Sequence, residues 1–213
     1  METIKLLSFD ICENTPAYGN KNKFISNSLS SIKNGDTADS SKWIFQTNHI
    51  GTHIDFPSHF CKNGKTSSDY GPDFWVFNKI GFIECDILNF EKEINKVPRD
   101  IEILIWKSGF GKFRDENIYW EKQPVIPSNF ADMINTRFKS IRVFGFDMIS
   151  LTSQIDKIEG KIIHKKFLCD YEILVIEDMN LNFSSFNFEK IIISPWLIRD
   201  SNGSPCNILG FNK

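Results

Sequence analysis

The stretch HIGTHIDFPSH, His49–His59, packs three of the chain's four histidines and an aspartate into eleven residues. A helix would set His49 and His53 one turn apart on a shared face. Gly51, the β-branched Thr52 and Ile54, and Pro57 all oppose a helix here. Read as extended chain, the side chains alternate. Ile50, Thr52, Ile54, Phe56, Ser58 and Phe60 take one face, and His49, His53, Asp55 and His59 take the other. In a straight strand at ~3.3 Å per residue, His49 and His59 stand about 33 Å apart, and only His53 and Asp55, about 7 Å apart, are neighbours. The four polar side chains meet only if the chain bends near Gly51 and again near Pro57, the two residues best suited to a break. A strand with surface histidines is one reading. Three histidines and a carboxylate around two backbone breakers favour the other, a metal site.

The ligand chemistry is that of a borderline divalent ion such as Zn²⁺ or Mn²⁺, and a carboxylate can bridge two of them. The set suits one ion or most of a two-ion site. The spacings of the metallo-β-lactamases, cupins and H-E-x-x-H zinc proteases are absent. Outside the stretch, His164 is the remaining histidine. Glu177 closes the apolar run Ile173–Ile176 as either an exposed strand end or a ligand.

Further out, short apolar runs predict strands at Ile4–Phe9, Trp43–Thr47, Gly81–Ile87, Ile101–Trp106, Ile141–Phe146, Glu172–Glu177 and Lys190–Ser194. The best helix is Ser128–Lys139, with Ser128 as N-cap and Phe130, Met133, Ile134 and Phe138 at helical spacing. Together these predict an α/β fold with a mixed β-sheet core and few helices. The polar segment Gly19–Lys42 reads as a surface loop or weak hairpin. No repeat or linker divides residues 1–213, so a single domain is expected.

Composition narrows the function classes. With 41% hydrophobic residues, 24% charged and a net charge of −2, nothing recommends nucleic acid or an anionic membrane as a partner. METIKLLSFDICENTP has no apolar run long enough for a signal peptide, and no stretch approaches a membrane span. The five scattered cysteines, with no CxxC pair, read as reduced thiols in a cytoplasmic protein; Cys61 reads as a small buried hydrophobe before a ligand. Tyr18, Trp43, Phe56, Phe60, Tyr70 and Trp75 are available to line a pocket or to pack a core, and Tyr18, Phe60 and Tyr70 are the pocket candidates.

The spacing H-x-G-T-H-x-D-x-P-x-H resembles that of the cyclase-type metal-dependent hydrolases, a family that includes kynurenine formamidases (arylformamidases) and isatin hydrolases. ENTPAYG (Glu13–Gly19), WKSGF (Trp106–Phe110), GFDMIS (Gly145–Ser150), the segment His164–Leu181 and NGSPCN (Asn202–Asn207) look like the family's other motifs. The resemblance implies a swivelling β/β/α domain, assembled as a homodimer or larger homo-oligomer with the pocket near the interface. It implies that His49, His53 and Asp55 hold one ion, that Asp55 and Glu177 bridge to a second taken by His164, and that His59 is the catalytic acid/base. The activity implied is hydrolysis of an amide bond in a small, aromatic substrate. A biosynthetic cyclase or dehydratase using the same centre, or a non-catalytic metal-holding protein, are the alternatives.

Overall fold

Eleven strands and four α-helices form in the computed structural model, which describes residues 4–21 and 23–213. The first half contains β1 (Ile4–Leu6), β2 (Phe24–Ser30), β3 (Ser40–Phe45), β4 (His53–Asp55), β5 (Val76–Phe77), β6 (Ile80–Glu84) and helix α1 (Phe90–Ile94). The second half contains β7 (Ile103–Lys107), α2 (Ile118–Glu121), α3 (Asn129–Arg137), β8 (Val143–Phe146), α4 (Lys157–Lys165), β9 (Leu174–Glu177), β10 (Phe188–Pro195) and β11 (Gly203–Asn212).

The strands β6, β7, β8 and β9 pair in parallel. Their near-continuous apolar runs are what a strand covered on both faces requires. Alternate side chains divide between two cores. Leu104, Trp106, Phe144, Phe146 and Val175 pack with α1, α3 and α4 residues such as Phe90, Phe130 and Ile163. Ile103, Ile105, Val143, Leu174 and Ile176 pack with Ile191, Ile193 and Ile208 of the antiparallel strands. That second half of the sheet runs β9-β4-β11-β10-β5, with β1 also paired to β11. The two end strands, β5 and β6, are separated by only Asn78 and Lys79. The sheet must therefore curl until its edges nearly meet, a mixed and almost closed sheet with few helices, as expected.

The seven predicted strands are all present with shifted ends. The predicted helix is α3, but the Ser128 side chain makes no capping bond; its backbone N–H instead donates to Glu159 Oε1 at 2.5 Å. Gly19–Lys42, in which Asn22 lies outside the described residues, is the hairpin option: β2 pairs antiparallel with β3 apart from the main sheet. The longest strand, β11, was not expected, because Gly203 and Pro205 read as punctuation.

The five cysteines are not all the reduced thiols that their spacing suggests. Cys61 and Cys169 form a disulfide, while Cys12, Cys85 and Cys206 are free. Their separation of 108 residues hides the pair from any spacing rule; tertiary packing of the turn after His59 against the short π-helix Lys166–Asp170 creates it. The thiol argument for a cytoplasmic location lapses with it. No helix among the described residues is long and apolar enough to cross a membrane.

Candidate metal centre

Both predicted bends are present. Gly51 has φ +61°, open to glycine at little cost, and a Cβ there would lie 3.2 Å from Thr15 Cγ2. Pro57 opens a 3₁₀ turn, Pro57–His59, closed by His59 N–H to Phe56 O at 2.9 Å and Phe60 N–H to Pro57 O at 3.1 Å. The turn folds His59 back so that its ring stacks on His49, centroids 4.1 Å apart. It also ends the alternation. Phe60 leaves the core face and stacks on His164 at 4.6 Å, while Ile50, Ile54 and Phe56 stay in the core.

Between the bends, β4 is held in register on both sides. His53 faces Glu177 of β9, and Asp55 faces Gly203 of β11. Thr52 anchors the entry, its hydroxyl donating to Asp178 O at 2.5 Å and accepting from Phe9 N–H. His53, Asp55, His164 and Glu177 are all buried, and His49 and His59 are half-buried.

The buried groups converge closely. His53 Nε2 is 3.6 Å from Asp55 Oδ1 and 3.3 Å from Glu177 Oε2. His164 Nε2 is 3.7 Å from Asp55 Oδ2 and 3.4 Å from Glu177 Oε1. In both rings Nδ1 points at a main-chain carbonyl, Gly51 O at 2.8 Å and Gly160 O at 2.7 Å. A carbonyl only accepts, so each Nδ1 carries a proton and each ring aims its Nε2 at two carboxylates. His53 Nε2 is buried without a hydrogen bond. Bare nitrogen lone pairs facing carboxylates in a buried space repel, so the cluster calls for a cation at Nε2, a proton or a metal ion in its place. The residues therefore fit a divalent ion.

Two trios can each bring ligand atoms within 4.8 Å of one another: His49 with Asp55 and His59, and His53 with Asp55 and Glu177. Asp55 belongs to both. His53 shares its trio with Glu177 and His49 shares its trio with His59; His164 approaches the second trio through Glu177 Oε1 at 3.4 Å. His49 Nδ1 is 2.8 Å from Asp55 Oδ1 and its Nε2 is 3.3 Å from Asn202 Oδ1.

Protons respond to this arrangement. Burial alone would lower the His53 pKa, but Glu177 and Asp55 outweigh it and raise it to about 9. His164 is raised by the same carboxylates against burial. Glu177 is held well below the usual carboxylate range: burial pushes it up, and His164 and His53 pull it further down. Asp55 is lowered too, with burial and Glu177 opposing and His49 and His53 prevailing. His59 moves the other way, down to about 4, through burial reinforced by His49 and His164 and opposed by Asp55.

The centre forms the floor of a cavity of about 370 Å³. Of the pocket candidates, Tyr18 and Phe60 line it. Tyr70 does not. It packs against Phe56, Phe74 and Trp75 beside a different cleft, because the chain after the 3₁₀ turn runs away from the metal centre. Phe56 is wholly buried in the core, and Trp43 is exposed on the β2–β3 hairpin.

Several supports of the site leave little trace in the sequence. Helix α4, which delivers His164, is capped by the Asp156 carboxylate accepting from Ile158 and Glu159 N–H. Glu177 Oε1 accepts from Leu151 N–H at 2.7 Å. A Cβ on Gly203 would lie 2.3 Å from His49 Cε1. The D-x-x-E of Asp156–Glu159 was the one legible signal; the others arise from strand pairing.

A mixed, curled sheet with a buried His/Asp/Glu centre at a cavity floor defines a metal-site α/β protein. Residues 6–153 match the family described as "Putative cyclase", and the chain belongs to that family. It is 30% identical over 164 residues to a kynurenine formamidase of Bacillus thuringiensis subsp. konkukian, covering 74% of this chain and 73% of that one. A Bacillus cereus kynurenine formamidase is 31% identical over 165 residues, with the same coverage. Among solved structures, isatin hydrolase A from Labrenzia aggregata, bound to benzyl benzoate, superposes with TM-score 0.74 at 18% identity, covering 98% of this chain and 93% of that chain. A "predicted metal-dependent hydrolase" from Bacillus stearothermophilus superposes with TM-score 0.73 at 16% identity over 99% and 98%.

Proposed function

We propose that the chain is a metal-dependent hydrolase cleaving an amide C–N bond, as in an aryl formamide or a cyclic amide, of a small aromatic substrate. The observation that carries the reading is the convergence of the His53 and His164 Nε2 atoms with the Asp55 and Glu177 carboxylates at the floor of an accessible cavity, beside His59. The formamidase relatives and the shared fold with isatin hydrolase A support it.

Zn²⁺ or Mn²⁺, one or two per chain, suits the donors, with His49, His53, Asp55, His164 and Glu177 as ligands. When bound, such an ion polarises a carbonyl and lowers the pKa of water. The rest is the chain's own work. With its pKa at about 4, His59 is neutral at pH 7 and has a free nitrogen to take a proton from water. The resulting imidazolium, poorly stabilised where it sits, is a strong acid and passes that proton to the leaving nitrogen. Tyr18, Phe60 and Ile149 give the cavity an apolar wall for an aromatic ring.

Residues 1–213 act as one domain in this reading, assembled as a homodimer or larger. The exposed Ile155, Ile158 and Ile162 around α4 support such an assembly. The test is elemental analysis of purified protein together with turnover of formanilides and cyclic imides. His59→Gln retains the metal and loses about 10²–10⁴-fold in kcat, whereas His53→Ala loses the metal. Turnover undiminished in His59→Gln, or in fully metal-stripped protein, sinks the reading.

A further inference from the structure

The cavity mouth carries charge that the metal centre does not use. Lys157 and Lys161 lie one turn apart on α4, and His164, a further turn along, reaches the carboxylates at the floor. Lys21 joins them from the chain just after Tyr18. All three lysines are exposed where they line the cavity, and none has an ion-pair partner among the described residues. The acids nearest in sequence are committed elsewhere: Asp156 caps α4, and Glu159 accepts from Ser128 N–H.

Helix stability does not explain Lys157, because a cation in the first turn opposes the helix dipole. Its placement makes sense toward an anion in the cavity. The cavity thus has three levels: ligands at the floor, an apolar wall of Tyr18, Phe60 and Ile149, and cations at the mouth. At 1.5 Å rise per residue, Lys161 and Lys157 stand about 4.5 and 10 Å along the helix from His164.

We propose that Lys21, Lys157 and Lys161 form an anion subsite that recognises a carboxylate or phosphate at the end of the substrate remote from the scissile amide. The inference rests on the hydrolase reading only for what happens at the floor. An occupant carrying an anion on an aromatic ring satisfies all three levels at once.

The test measures binding rather than turnover, by calorimetry on metal-loaded protein at low salt. The probes are 4-acetamidobenzoate, 4-acetamidophenyl phosphate and neutral acetanilide. Both anions bind at least tenfold tighter than acetanilide, and the tighter of the two identifies the natural group as carboxylate or phosphate. In the Lys157→Gln/Lys161→Gln double variant that advantage falls tenfold or more while acetanilide is unaffected, and the remote control Lys92→Gln leaves all three unchanged. Equal affinity for charged and neutral probes, no binding of either anion, or an advantage that survives the double variant because the anion sits on the metal overturns the subsite. A chain that hydrolyses no amide yet shows the lysine-dependent preference keeps the subsite and loses the hydrolase. Formamides turned over with the same KM whether charged or neutral do the reverse.

Discussion

Asp55 is where the two halves of the centre meet. One of its oxygens pairs with His49, and its two oxygens face His53 and His164. Because the carboxylates raise the metal-free His53 to about 9, that ring holds a proton at neutral pH. A metal ion needs the same lone pair and must displace the proton. Affinity for a divalent ion therefore rises with pH, about tenfold per unit from near neutral to about 9 for one proton, and more steeply as His164 contributes a second. Dissociation constants at several pH values check this, and a pH-independent affinity contradicts it. Gly203 is a second single-residue determinant. It sits across from Asp55 with the His49 ring against it, so Gly203→Ala displaces His49. The overpacking costs about 1–3 kcal/mol; folded protein with weakened metal binding is the expected result, and unchanged metal affinity would show that His49 is not held from that side. His49, His53, Asp55 and His59 stand out by their spacing, and His164 does not. Nor do Gly203 and Asn202, since their partners lie some 150 residues away.

Among the elements, β4 shows how far periodicity reaches. The alternation rule holds for His53 and Asp55, then fails at Pro57, where the 3₁₀ turn sends both His59 and Phe60 into the cavity. Helix α4 escaped notice because Ile155, Ile158 and Ile162 are exposed, while Gly160, Ile163 and His164 are buried. Its hydrophobic pattern therefore did not mark its inner face. The turns after β7 and β8 are fastened together: the Asp147 carboxylate accepts from Ser108 N–H and Oγ–H and from Gly109 N–H. These residues of WKSGF and GFDMIS are thus scaffold. The end of β9 is fastened by Arg114, whose Nε–H is shared between both oxygens of buried Asp178 and whose Nη2 donates to Oδ2, and Tyr119 Oη donates to the same carboxylate at 2.6 Å. Arg114→Met leaves that carboxylate without its cation and lowers stability by about 3–5 kcal/mol. Urea unfolding measures it, and a loss below about 1 kcal/mol would mean that Asp178 is satisfied by Tyr119 alone.

For the molecule as a whole, the curled sheet and the disulfide are long-range facts. Cys61–Cys169 ties the turn bearing His59 and Phe60 to the π-helix that follows His164. A crosslink spanning 108 residues contributes about 2–4 kcal/mol by restricting the unfolded chain. The Cys61→Ser/Cys169→Ser variant therefore melts several degrees lower, and unreduced denatured protein titrates three thiols, Cys12, Cys85 and Cys206. Five thiols, or an unchanged Tm, would show the crosslink absent. The residues of His49–His59, read alone, determined that this is metal chemistry on a bent strand, because ligand type, backbone breakers and the period of two are local properties. The apolar runs likewise determined a mixed, strand-rich α/β fold. Only the tertiary structure decided which histidine faces which carboxylate, that Tyr70 lies outside the cavity, that two cysteines join, and that lysines ring the mouth. Those depend on pairings between segments far apart in the chain, which burial and strand register select and no local pattern records.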